Sequence, residues 1–221
     1  MSVNPTPMKI PPTLLTLLIG VTVLGAEPLA PITELKFTWV DADDPAVAEI
    51  RQVGEDAITF IGNKLIRETS QVLAKQTADD AIDVLHLKNL ALPATAAGKP
   101  HITSFKRTSL LVRSIGNAPD NADLAALISI QKELMDGNSP PKVLVQRVAA
   151  DGTLPEEWRV YRPISVMSSC VVCHGPTDTL LPSVKAKLEK LYPEDKAVNY
   201  AAYQWRGVIR VSVSTAPAKK P

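Results

Sequence analysis

The sequence predicts an α+β domain built on an antiparallel sheet. Three observations lead there. Apolar residues recur at steps of three and four through the first half of the chain, short alternating segments bounded by turn residues follow, and a further helical pattern lies between those segments.

Residues 1–26 read as a leader: Lys9 precedes the apolar run Thr13 to Gly25, which ends in small residues, with cleavage expected near Gly25 or Ala26. The run is shorter than the ~20 residues a membrane span needs, and no later stretch is long and apolar enough, so no span is expected after cleavage. Residues 27–44 are expected to be an N-terminal extension, 45–214 the folded domain and 215–221 a disordered, Pro-rich tail. Within the domain, Val47, Ile50, Val53, Ile58, Ile61, Leu65, Ile66, Val72 and Leu73 form the apolar stripe of a long helix. Asp43 or Asp44 ahead of Pro45 is its cap. The acidic run Asp41 to Asp44 is explained more simply by that capping than by a bound cation. A second helical segment, Ala78 to Leu90, stops before Pro93 and the Gly98-Lys99-Pro100 turn.

Ile102 to Val112 then reads as a strand and Gly116 to Asp120 as a loop, after which Asp120 or Asn121 caps a helix over about Ala122 to Met135. Val143 to Ala149 and Trp158 to Val166, joined through Asp151-Gly152, are two antiparallel strands, and Val208 to Val213 is a last strand. Lys and Arg number 24 against 23 Asp and Glu, a net charge of +1, so there is no basic field to collect phosphates and nucleic acid is not an expected partner.

Cys170-Val171-Val172-Cys173-His174 holds both cysteines of the chain and one of its three histidines. C-x-x-C-H is the spacing of c-type haem attachment: two thiols three positions apart reach two vinyl groups of one porphyrin, and the adjacent imidazole comes under the iron. Such attachment takes place outside the cytoplasm in bacteria, consistent with the leader. A redox-active disulfide, a zinc site short of its fourth ligand and a structural disulfide are the competing readings. A phosphate-binding Gly-rich loop, H-E-x-x-H and G-x-S-x-G do not occur.

Tyr161-Arg162-Pro163-Ile164, Cys170 to Gly175, Tyr192 to Ala197, Tyr200 and Trp205-Arg206-Gly207, with Arg107-Thr108-Ser109 and Arg113 through Asp120 upstream, together resemble the bacterial monohaem c-type family long labelled a domain of unknown function. The resemblance covers about Ala48 to Val213. It implies a PAS-like fold, found alone or as the extracytoplasmic sensor part of kinases and chemoreceptors. The sequence departs from the family pattern at Ser114 and Ile115, and at Leu85, which stands where the family often has a cysteine that ligates iron.

The resemblance therefore implies one covalent haem on Cys170 and Cys173, with His174 as one axial ligand. His86, beside Leu85, is the first candidate for the other; His101, Met135, Met167 and an open or water-filled position are the alternatives. Arg107, Arg113, Arg162 and Arg206 lie in the matching stretches, with Arg113 and Arg206 the preferred partners of the haem propionates. Tyr161, Tyr200, Tyr203 and Trp205 are expected to wall the porphyrin, and Trp158 to pack in the core. The expected role is that of an exported, periplasmic electron carrier or redox sensor with an unspecified partner protein. A haem-based ligand sensor signalling to a partner is the alternative, with weak peroxidase activity a third.

Overall fold

The computed structural model describes residues 34–85, 90–92, 96, 98–150 and 155–217. These form an α+β unit, as expected, with one five-stranded antiparallel sheet between helices. The strands are β1 (Phe37–Val40), β2 (His101–Thr108), β3 (Leu144–Val148), β4 (Glu157–Ser165) and β5 (Trp205–Ser214), in the order β1-β3-β4-β5-β2. The helices are α1 (Ala48–Leu73), α2 (Ala78–Val84), α3 (Asn121–Met135), the single turn α4 (Val171–His174) and α5 (Pro182–Leu191).

The expected cap falls one turn early: Asp44 caps the 3₁₀ turn Pro45–Val47 that leads into α1, and Val47, the residue before α1, makes no side-chain capping bond. Asp44 accepts a hydrogen bond from the Ala46 amide at 2.8 Å, and Pro45 opens the following 3₁₀ turn. Ile50, Ala57, Ile58 and Ile61 form its buried stripe, packed on Val160, Ile209, Val211 and Val213 of the sheet. Full burial of each isoleucine contributes about 1.5–3 kcal/mol. A Cβ on Gly54 would lie 2.5 Å from the Cβ of Val160, so only glycine allows this close approach of helix to sheet.

Alternation along the strands divides the two faces. Val160, Ile209 and Val211 meet α1, while Tyr161 and Val208 meet Ala126, Leu127 and Ile130 of α3. Asp120 and Asp123 form a reciprocal capping box at the start of α3.

Four elements differ from expectation. Phe37–Val40, inside the expected extension, is an edge strand paired with β3. β2 ends at Thr108, short of Val112, and the chain from Ser109 turns away from the sheet. The second helix ends at Val84, and α5 had no counterpart in the sequence reading. The leader and the Asp151-Gly152 turn lie outside the described residues. No helix among the described residues is long and apolar enough to cross a membrane.

Candidate functional site

After β4 the chain passes through a 3₁₀ turn, Ser168–Cys170, directly into α4. Cys170 and Cys173 thus stand about one helical turn apart, on the same side, and both are free thiols. Helix α4 must stop at once. A Cβ at Gly175 would lie 2.6 Å from both the carbonyl oxygen and Cγ1 of Val171.

Residues 195–200 hold this turn in place. The Tyr200 amide donates to the His174 carbonyl and the Asn199 amide to the Gly175 carbonyl, each at 2.9 Å, with Asn199 in the left-handed region (φ 65°). The Asn199 side chain accepts from the Thr177 amide at 2.9 Å. His174 Nδ1 lies 2.7 Å from the Ala197 carbonyl oxygen. A carbonyl can only accept, so Nδ1 carries the proton and the Nε2 lone pair is left bare. Burial, then the nearby Arg113 guanidinium, holds the imidazole well below its usual titration range, hence neutral. This is the tautomer and protonation state of a metal-ligating histidine.

Cys170, Cys173 and His174 all line one cavity of about 660 Å³, a size typical of small-molecule and cofactor sites. Leu65, Leu73, Ile82, Leu85, Ile102 and Ile164 supply an apolar wall, and Arg107, Arg113 and Arg206 a cationic one. Among the described lining residues there is no carboxylate. Burial, with the Arg206 charge next in effect, pulls Arg107 down to about 10, and no hydrogen bond within the described residues offsets that cost. Burial likewise lowers Arg206, which donates to the Leu111 carbonyl at 2.9 Å and sits 5.1 Å over the Tyr200 ring. Burial pushes the Cys173 thiol up.

The sequence expectations sort unevenly onto this geometry. Arg107, Arg113 and Arg206 reach the cavity, but Arg113 is already engaged by Asp195 at 2.8 Å and by the Cys173 carbonyl at 2.6 Å. Tyr161 is corrected: it is fully buried on the α3 face, where its hydroxyl donates to Gln146 at 2.8 Å, and it does not line the cavity. Trp205 packs toward that same α3 cluster and is also off the cavity wall. Tyr200 lies behind His174, edge to face at 6.5 Å, rather than in the cavity. Tyr203 is 71% exposed. Arg162 faces Thr59. His101, Met135 and Met167 are not among the lining residues, and Met135 lies on α3, behind the sheet. Leu85 lines the cavity, whereas His86 lies outside the described residues.

Asp195, the Ala197 carbonyl and Asn199 were missed as site residues. Asp195 and Ala197 lie within the family-like stretch Tyr192 to Ala197 and Asn199 just beyond it, and nothing in their spacing ties them to His174.

The Tll0287-like family model matches residues 47–214 of the chain. The chain belongs to the Tll0287-like family. That agrees with the family resemblance carried by residues 107–120 and 161–207. A crystal structure described as that of the cyanobacterial heme-protein Tll0287 is similar to this Tll0287-like chain at a TM-score of 0.39 and 21% identity, over 52% of this chain and 63% of that one. The match thus spans less than two thirds of that protein's length. No curated protein matches this chain.

Proposed function

We propose that this Tll0287-like protein is an exported monohaem cytochrome that transfers or reports single electrons. Haem is held covalently through Cys170 and Cys173, with His174 as axial iron ligand. One observation carries the reading: both cysteines and a neutral histidine whose Nδ1 is anchored to a carbonyl line the same cavity.

The residues fit the group in three ways. The apolar wall suits a porphyrin face, the thiols sit at positions that can reach two vinyl groups, and the cationic wall suits propionates. With Arg113 paired to Asp195, two guanidinium groups, Arg107 and Arg206, form no salt bridge among the described residues, and haem brings two carboxylates. A bound iron porphyrin supplies a one-electron couple. This chain's part is to bind it, to orient His174 and to keep water from the Leu65–Leu85 side.

Haem staining of denaturing gels, using full-length chain matured with a bacterial cytochrome c attachment system, tests the covalent bond. Staining is expected for the parent and loss of one thioether in each of Cys170→Ser and Cys173→Ser, read by pyridine haemochrome spectra. A colourless parent band at the mature mass sinks the proposal. Fractionation that leaves the protein in the cytoplasm contradicts the export reading.

Electron transfer goes with His86 as the second axial ligand, since a saturated iron excludes exogenous ligands. Leu85, its neighbour in the sequence, lines the cavity. CO added to the ferrous parent and to His86→Ala decides between roles. A parent that ignores CO and a variant that binds it support the carrier. A parent that binds CO at once turns the reading to a ligand sensor.

A further inference from the structure

Arg113 approaches α4 from a segment 60 residues earlier in the chain, and its side chain is only 15% exposed. Its Nε donates to Asp195 Oδ2 at 2.8 Å, and its Nη2 donates to the Cys173 carbonyl at 2.6 Å and to the Ala197 carbonyl at 3.3 Å. The other oxygen of Asp195 accepts from the Ala197 amide at 2.7 Å. Asp195 is 8% exposed, so this ion pair is sheltered from solvent. The Ala197 carbonyl is also the acceptor of the His174 Nδ1–H, at 2.7 Å.

One guanidinium therefore grips His174 from two sides: the peptide unit just before it, and the oxygen that orients its ring. This goes beyond binding an anion, which was the role expected of Arg113. Two consequences follow. The ring's rotation about its bond to the backbone is fixed by a carbonyl that Asp195 and Arg113 hold from behind. In addition, a carbonyl oxygen that already accepts from a cation has less electron density to offer a second donor, so the Nδ1–H bond is less polarised and the imidazole passes less charge to whatever Nε2 binds.

We infer that Arg113, held by Asp195, is the positioning residue of the iron ligand: it sets the azimuth of the His174 ring and limits electron donation through it, favouring the ferrous state. The inference rests on the haem reading above.

The test uses the holoprotein, full chain, in Arg113→Gln, Arg113→Lys and Asp195→Asn forms. Haem content comes from pyridine haemochrome spectra, ring azimuth from the hyperfine-shifted haem methyl resonances of the ferric protein, and the ferric/ferrous balance from spectroelectrochemistry. Arg113→Gln is expected to favour the ferric form about tenfold, equivalent to 59 mV for one electron, and to reorder the methyl resonances. Arg113→Lys keeps the charge but lacks the planar fork, so it too is expected to reorder the methyls. Asp195→Asn, which loosens the grip while leaving Arg113 in place, is expected to do the same.

If Arg113→Lys and Asp195→Asn match the parent in both methyl pattern and potential, Arg113 acts only as a charge and the inference falls. Should Arg113→Gln fail to accumulate, those two variants decide the matter alone. A parent without haem overturns the haem reading and this inference with it, whereas a haem-bearing parent with silent variants overturns this inference only.

Discussion

Asp123 is a fully buried carboxylate on the α3 face of the sheet, and its replacement by asparagine should cost the fold more than any other isosteric change in that layer. Its Oδ2 lies 3.1 Å from Lys106 Nζ, and its Oδ1 lies 3.2 Å from Arg159 Nη1 and 3.2 Å from the Tyr161 hydroxyl oxygen. Arg210 Nε is 3.3 Å from Oδ1 but off the hydrogen-bonding direction, so that link is Coulombic. At an effective dielectric of about 20, each contact near 3.2 Å corresponds to roughly 5 kcal/mol of attraction, most of it offset by the desolvation of both partners.

Asparagine keeps the volume and removes the charge. Lys106 and Arg210 would then face no buried anion, and breaking a buried pair in this way costs about 3–5 kcal/mol. Against a typical domain stability of about 5–15 kcal/mol this is a large fraction, and for a chain of this size it lowers Tm by roughly 6–20 °C. Urea unfolding of Asp123→Asn beside Asp120→Asn is the assay. Asp120 contacts Arg159 through both oxygens at 2.8 Å, but its side chain is 31% exposed, so its loss should cost less. A loss under about 1 kcal/mol for Asp123→Asn, or a larger loss for Asp120→Asn, would refute the assignment of Asp123 as the anchor of this layer.

Three further outcomes are expected. Burial raises the Asp120 carboxyl but the hydrogen bond from Arg159 and the Asp123 amide outweigh it, leaving its pKa lowered. Its contribution to stability is thus complete above the unfolded value near pH 3.9 and fades as pH falls below that, so acid unfolding monitored by circular dichroism should shift to higher pH in Arg159→Met. Arg107, pulled down to about 10, costs the haem-free fold on the order of 3 kcal/mol, so Arg107→Leu should stabilise the apo chain to urea and weaken the stabilisation that haem confers; a loss of apo stability would count against the cavity-facing assignment. Leu85 lines the cavity where the family often supplies a cysteine, so Leu85→Cys should lower the midpoint potential in spectroelectrochemistry by at least about 59 mV, a tenfold change in the ferric/ferrous ratio, and an unchanged or higher potential would exclude sulfur ligation from that position.

Much of the fold was legible because its signals are local. The stripe Ile50, Ile58 and Ile61, the Asp44-Pro45 start and the Asp120 cap each need only a few neighbouring residues to be recognised. β1 was not legible. Its four residues Phe37–Val40 are mostly exposed or half-buried, and what makes them a strand is pairing with β3 more than a hundred positions away. α5 carries a short signal, Pro182 at its first position with Val184 and Leu188 four apart, and gains its place by packing on α2 with Ile82 and Cys173. The haem motif was legible for the same reason as α1: its residues are contiguous. The roles of the arginines were not, because whether a guanidinium meets a carboxylate or an open cavity depends on Asp195 and Asp123, which no spacing rule ties to Arg113 or Arg159.

Adjacent residues of β2 make that point physically. Lys106 and Arg107 carry the same charge and, by strand alternation, point to opposite faces of one sheet. Lys106 finds Asp123 and the Ala118 carbonyl at 2.6 Å, so its charge is satisfied within the chain. Arg107 is as sheltered from water, yet within the described residues its neighbours are two more guanidinium groups, a thiol and a phenol. A half-buried cation among like charges is a liability for a fold that stands alone. The same strand that locks the sheet on one side therefore holds, on the other, a charge with no carboxylate partner among the described residues, and an anion entering the cavity would make its position favourable.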